Sequence, residues 1–230
     1  MGYCRYKIKI TRIIMLDKAN WYFDFISPYA YLQFKHFRKL PESLEISLHP
    51  ILYAGLLAHW ETKGPAEVPE KRRQTYQYCD WYAQKLGIAF KTPPAHPFNP
   101  LKLLRLAISQ GASHEIVETI FDYTWGEGGD VHTDDGFLIL CKRLGISDPD
   151  SAISSRSVKE ALKINTEQAI KSGVYGIPSF VYNKTVFWGF DCMDMFIETL
   201  KDPNLLLTPE MQRLADLPTA QERKESKLGS

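Results

Sequence analysis

Trp21-Tyr22-Phe23-Asp24-Phe25-Ile26-Ser27-Pro28-Tyr29-Ala30-Tyr31-Leu32 is the stretch that decides the fold. Its aromatic beginning, Trp21 to Phe25, reads as a buried strand. Ser27 follows at once as a helix N-cap, and Pro28 suits the first helical position, where its missing N–H is not needed. Ala30, Phe34 and Phe37 recur at the spacing of one helical face, so the helix is expected to run to about Leu40.

Downstream, Leu44 to Pro50 alternates apolar and polar residues and predicts a second strand. A long section, about 51–165, reads as helical and is punctuated by Pro65, Pro69, Pro93, Pro94, Pro97 and Pro100. Helices are expected at Leu101–Ser109, Glu115–Tyr123 and Val158–Ser172, the last with Gly173 as its C-terminal cap. Ser179–Tyr182 and Thr185–Trp188 read as a hairpin around the turn Asn183-Lys184. Asp191–Leu200 reads as a closing helix with Asp191 as N-cap and Met193, Phe196, Ile197 and Leu200 on one face. The first two strands must then pair in parallel through a crossover. This order predicts an α/β, thioredoxin-like fold with a large inserted all-helical domain. The expected divisions are an N-terminal extension at 1–17, a discontinuous thioredoxin-like domain at 18–56 and 166–205, an inserted helical domain at 57–165 and a C-terminal tail at 206–230.

The 230 residues carry a formal charge of +1, with 44 % hydrophobic and 24 % charged residues. That is a globular composition, and its near neutrality argues against nucleic acid as a main partner. Cys4, Cys79, Cys141 and Cys192 form no C-x-x-C pair and no zinc-ligand spacing. Sparse, unpaired cysteines suit a reducing, cytoplasmic setting. No apolar run approaches the ~20 residues of a membrane span, and the basic N-terminus lacks a continuous apolar signal-peptide core.

A helix N-terminus offers free N–H groups and a partial positive charge, and so stabilises an anion. A thiolate is such an anion, and the Ser27 hydroxyl adds one oriented donor. The plainer reading is that Ser27 only caps the helix.

Five segments together resemble the 2-hydroxychromene-2-carboxylate isomerases and the kappa-class glutathione transferases, relatives of the bacterial disulfide oxidoreductases. They are Asp24–Leu32, Pro65–Pro69 with Lys71-Arg72-Arg73, Pro94–Leu101, Gly176–Phe180 and Phe187–Asp191. The resemblance implies that glutathione is the cofactor and that Ser27 binds and activates its thiol. It implies further contacts from Pro28 and Tyr29, and a cis Pro178 that presents the backbone of Ile177 to the cysteinyl part. Asp191 matches the residue that holds the γ-glutamyl end. The sequence departs from the pattern at Phe190, where kappa transferases have Ser, and at Thr62, near a glutathione-contacting Asn. The resemblance also implies a homodimer.

For a small, aromatic carboxylate substrate, Lys71 offers a cation, although a solvated helix face also explains Lys71-Arg72-Arg73. His96 and Asn99 lie in a proline-rich loop that suits a pocket lining. Gly126-Glu127-Gly128-Gly129-Asp130 lacks the ending of a phosphate loop and reads as a flexible turn. Asp130, His132, Asp134 and Asp135 fit no metal-ligand spacing, so no metal is expected. Three activities fit to different degrees: an isomerase that returns its glutathione, a transferase that consumes it, and a dithiol oxidoreductase. The last needs a second thiol near Ser27, which is absent. A non-catalytic glutathione-binding module is a further possibility. The motifs around Pro94–Leu101 favour the isomerase.

Overall fold

A computed structural model describes residues 17–221; most of the expected N-terminal extension, Cys4 and residues 222–230 lie outside the described residues. Four strands, β1 (Asp17–Phe23), β2 (Leu44–Pro50), β3 (Ser179–Tyr182) and β4 (Thr185–Trp188), form one sheet in the order β2-β1-β3-β4. β1 and β2 are parallel, as a crossover requires, while β3 is antiparallel to both β1 and β4. Asn183 and Lys184 both take positive φ, 47° and 66°, in the two-residue turn between β3 and β4.

β1 starts at Asp17 and stops two residues before the end of the aromatic run. The chain leaves the sheet because Asp24 turns it: its carbonyl takes the Ser27 N–H at 3.1 Å. Phe25 is aromatic because it is buried, not because it is extended. Helix α1 (Pro28–Lys35) is shorter than expected, and a 3₁₀ turn, Phe37–Lys39, completes the segment to Leu40.

The helices between β2 and β3 are α2 (Tyr53–His59), α3 (Pro69–Leu86), α4 (Leu101–Ser109), α5 (His114–Phe121), α6 (Asp134–Arg143), α7 (Pro149–Ser154) and α8 (Arg156–Lys171). A π-helical turn, Asp122–Gly126, extends α5. After the sheet come α9 (Met193–Lys201) and α10 (Pro209–Ala215). The positions expected to divide domains, 56/57 and 165/166, fall within α2 and α8.

Strand alternation sends side chains to both faces of the sheet. Trp21, Phe23, Phe180 and Tyr182 join the larger core with Phe34, Phe121 and Phe196, and Tyr22 and Val181 join a second core with Leu56, Ala169 and Ile177. Ring pairs such as Trp21–Phe23, 4.3 Å apart, and Phe180–Phe196, 4.4 Å apart, stack in the first. A sheet covered on both faces holds the ends of β1 and β3 rigidly, and the candidate site lies there.

Candidate active site

Ser27 caps α1: its Oγ accepts the Ala30 N–H at 3.2 Å. The side chain is buried, and among the described residues its hydroxyl proton has no acceptor. Capping uses the oxygen lone pairs and leaves the proton, so the cap and the donor occur in one group. Pro28 is buried at the first helical position, and Tyr29 is half-buried.

Side chains from far along the chain pin the turn that carries Ser27. The Trp125 Nε1–H donates to the Phe25 carbonyl at 2.8 Å. His96 Nε2 lies 2.8 Å from the Ile26 carbonyl, which can only accept. That fixes the neutral His96 tautomer with its proton on Nε2, and Nδ1 then accepts from the Tyr76 hydroxyl at 2.6 Å. Burial, with the nearby Arg72 guanidinium, holds the imidazole below its ordinary pKa, and the bond to Ile26 opposes this. The Asp24 carboxylate accepts from Ile26 N–H at 3.1 Å and from Tyr53 N–H at 3.0 Å.

The Ile177–Pro178 bond is cis, as the resemblance implies; His96–Pro97 is also cis, which the sequence reading did not single out. The backbone N–H and C=O of Ile177 take no partner among the described residues. Ile26 packs against the buried cluster that contains Ile177, which brings the Ser27 turn and the Pro178 loop together. Gly189 ties the third segment in. Its N–H donates to the Pro178 carbonyl at 2.8 Å, and its carbonyl accepts from Gln33 Nε2 on α1 at 2.9 Å. Gln33 also accepts the Trp21 indole N–H at 2.6 Å.

Asp191 is exposed and does not cap the closing helix. That expectation is corrected: α9 begins at Met193, and its N-cap, Cys192, makes no side-chain cap. The Asp191 carboxylate lies against Gly189, whose φ of +90° and lack of a side chain make room for it. Asp191 also adds to the upward shift of the Tyr29 and Tyr78 hydroxyls, which burial dominates. Its charge is therefore felt at Tyr29, directly after the Ser27-Pro28 start. Phe190 is buried, with its ring edge-on to His36 and Tyr82, each 5.1 Å away, so it packs the loop down.

The remaining expected site residues lie differently. Thr62 is exposed, and its N–H closes the end of α2 on Leu57. Asn99 is exposed and its Oδ1 accepts the Leu101 N–H at 3.0 Å, which commits it to the start of α4. Lys71 is exposed on α3, while its neighbour Arg72 is half-buried and acts on Tyr76 and His96. Of the two, Arg72 is the cation whose charge acts on the Tyr76–His96 pair that supports the Ser27 turn. Sequence reasoning missed Asp24, Gln33, Tyr76 and Trp125. Only Asp24 left a signal, as a carboxylate inside an aromatic run.

The glycine-rich segment after Trp125 is a packed turn. Glu127 pairs with Arg143 through two bonds of 2.6 and 2.8 Å, and the Tyr123 ring covers Gly129. Asp134 accepts from Lys102 at 2.6 Å at the start of α6. A cleft of about 390 Å³ lined by Tyr31, Lys35, Arg38, Asp122 and Glu127 includes none of Ser27, Ile177 or Asp191.

Among the described residues no thiol takes the place of the Ser27 hydroxyl at the head of α1. Cys79 is buried on α3 beside the Tyr29 hydroxyl, and burial pushes its thiol up to about 12 despite that contact. The site offers a hydroxyl donor, a helix N-terminus, an open backbone edge and a carboxylate, a set that suits a bound thiol with a peptide-like body.

The chain is 26 % identical over 176 residues to Caenorhabditis elegans glutathione s-transferase kappa 2, covering 70 % of this chain and 78 % of that one. It is 26 % identical over 186 residues to Pseudomonas putida 2-hydroxychromene-2-carboxylate isomerase, covering 77 % and 91 %. A solved structure of 2-hydroxychromene-2-carboxylate isomerase superposes with a TM-score of 0.72 at 22 % identity, covering 88 % of this chain and all of that one. The family model for the DSBA-like thioredoxin domain matches residues 19–201, and with the strand order and the inserted helices this shows that the chain belongs to that family.

Proposed function

We propose that this protein is a glutathione-dependent isomerase in which Ser27 holds the glutathione thiolate. The observation that carries the reading is the Ser27 hydroxyl itself: its oxygen caps α1 and its proton is left to donate. The thiol sulfur sits at the head of α1, where the N–H groups and the hydroxyl favour its ionised form. The free Ile177 backbone pairs with the cysteinyl backbone, and Asp191 binds the γ-glutamyl ammonium. The thiolate adds to one carbon of a conjugated double bond, and that bond becomes single and rotates. Elimination then expels the thiolate and restores the double bond in its new geometry, so glutathione returns unchanged. Arg72, beside Tyr76 and His96, supplies the cation for a substrate carboxylate. The assembly is a homodimer, and the setting is cytoplasmic.

A kappa-type transferase is the second reading, favoured by the relative of that name at the same 26 % identity. The fate of isotopically labelled glutathione separates the two, since an isomerase returns it and a transferase releases it in an adduct. The thiolate absorbance of bound glutathione, followed against pH, tests both. A bound thiol that titrates at the free value of about 8.5 rules out activation by Ser27.

A further inference from the structure

The turn before Ser27 contains a group that this chemistry does not use. Asp24 is fully buried, and among the described residues no cation pairs with its carboxylate. Its partners are backbone amides on two elements. Oδ1 takes the N–H of Ile26, the residue before Ser27, and Oδ2 takes the N–H of Tyr53, the first residue of α2. The carbonyl of the same residue takes the Ser27 N–H. One side chain therefore holds the turn closed and fastens it to α2.

We propose that Asp24 is a positioning residue for Ser27: its ionised carboxylate clamps the Ile26 and Tyr53 amides together, and the clamp sets where the Ser27 hydroxyl sits at the head of α1. The inference rests on the reading of Ser27 as the group that serves glutathione. An ionised carboxylate only accepts, which matches two converging N–H groups. A protonated one places a donor against an N–H and loses part of the clamp.

Burial opposes the charge and pushes the Asp24 carboxyl up to about 7, against the lowering effect of the bonds from Tyr53, Ile26 and Phe25. The groups around it do not change charge in the same way. Tyr53 on α2 is pushed up to about 12 by burial, with the Glu67 carboxylate behind it. On the other side, His96, held low, bonds to Ile26, with Tyr76 and Arg72 of α3 beyond it. The sign follows from proton counts. Between the ordinary value of 3.8 and about 7 the folded chain holds more protons at Asp24 than the unfolded chain. Stability therefore falls as pH rises through this window, while the clamp tightens. The turn is best set where burying Asp24 costs the most.

The test uses the whole protein and two independent substitutions. Asp24→Asn is neutral at every pH and turns an NH₂ toward one of the amides. Tyr53→Pro removes one clamped N–H at a first helical position, where proline is tolerated, and Tyr53→Ala controls for the lost ring. Carbon-13 carboxyl resonances should show Asp24 titrating near neutrality. Asp24→Asn should unfold at an equal or higher denaturant concentration than wild type at pH 8. It should also raise the pKa of the bound glutathione thiol and lower kcat by about tenfold with little change in KM. Tyr53→Pro should lower kcat relative to Tyr53→Ala. An Asn variant with an unchanged thiol titration and kcat overturns the proposal. If wild type binds no glutathione, the reading of Ser27 falls separately. The clamp is then decided by amide exchange, which must quicken at Ile26 and Tyr53 in Asp24→Asn; unchanged exchange overturns it.

Discussion

The turn at 24–27 leads into α1 and the loop at 189–191 is tied to α1 through Gln33, yet the two are held in different ways. In the turn, consecutive carbonyls are taken by Trp125 and His96, and the Asp24 carboxylate reaches across to α2. In the loop, the backbone of Gly189 is fixed to Pro178 and Gln33, but the Asp191 carboxylate at the tip makes no hydrogen bond among the described residues. The end that would steady a reactive sulfur is built in advance by buried side chains. The end that would recognise a charged terminus stays open to water. Preorganisation matters most where charge develops in a reaction, because a donor already in place needs no rearrangement. A recognition carboxylate gains from access instead.

The comparison predicts that damage to the turn shows in rate and damage to the loop shows in binding. Ser27→Ala should have the largest effect. Loss of the donor should slow turnover by about 100-fold, while loss of the cap costs only about 1 kcal/mol of stability. Turnover and thermal melts on one preparation check this, and a variant with unchanged turnover makes Ser27 a helix cap alone. Trp125→Phe comes next. It leaves the buried Phe25 carbonyl unpaired and should cost about 2 kcal/mol, read from the midpoint of urea unfolding. An unchanged midpoint breaks the claim that the helical insertion holds the turn.

Gly189→Ala should cost about 1–2 kcal/mol, since a φ of +90° suits no side chain. The new methyl also lands on the Asp191 carboxylate, so glutathione should bind more weakly in calorimetry even where the protein stays folded. Asp191→Asn should be the mildest for stability, with a change within about 0.5 kcal/mol, because the side chain caps no helix. Its signature is a glutathione KM raised by roughly threefold to tenfold at nearly constant kcat. A stability loss of about 1 kcal/mol would return Asp191 to a capping role.

Much of this could be read in the chain. The strands at Leu44–Pro50, Ser179–Tyr182 and Thr185–Trp188 and the helix at Leu101–Ser109 have the expected bounds, because alternation, helical spacing and proline breaks are local signals. The end of β1 was not legible. Trp21–Phe25 is uniformly aromatic, and only the Asp24 carbonyl bond to Ser27 shows where extension stops. The start of α9 was misread because Asp191 has a capping residue's chemistry, while the close approach to Gly189 holds it elsewhere. That Arg72 is half-buried and acts on His96 while Lys71 is exposed was not legible for a similar reason. Both are cations on α3, and only the packing of that helix selects between them.

The sequence by itself determined the strand and helix order and the placing of Ser27 and Pro28 at the start of α1, since each rests on residues close together in the chain, and it determined the family through five short segments in order. Tertiary structure alone decided what holds Ser27 in place. Trp125 and His96 donate to Phe25 and Ile26 from 100 and 70 residues away, and Tyr53 meets Asp24 across 29. Backbone carbonyls and amides are the same at every position, so the sequence cannot mark which of them a distant side chain will reach; folding chooses them by bringing polar groups that cannot stay unpaired into one buried space.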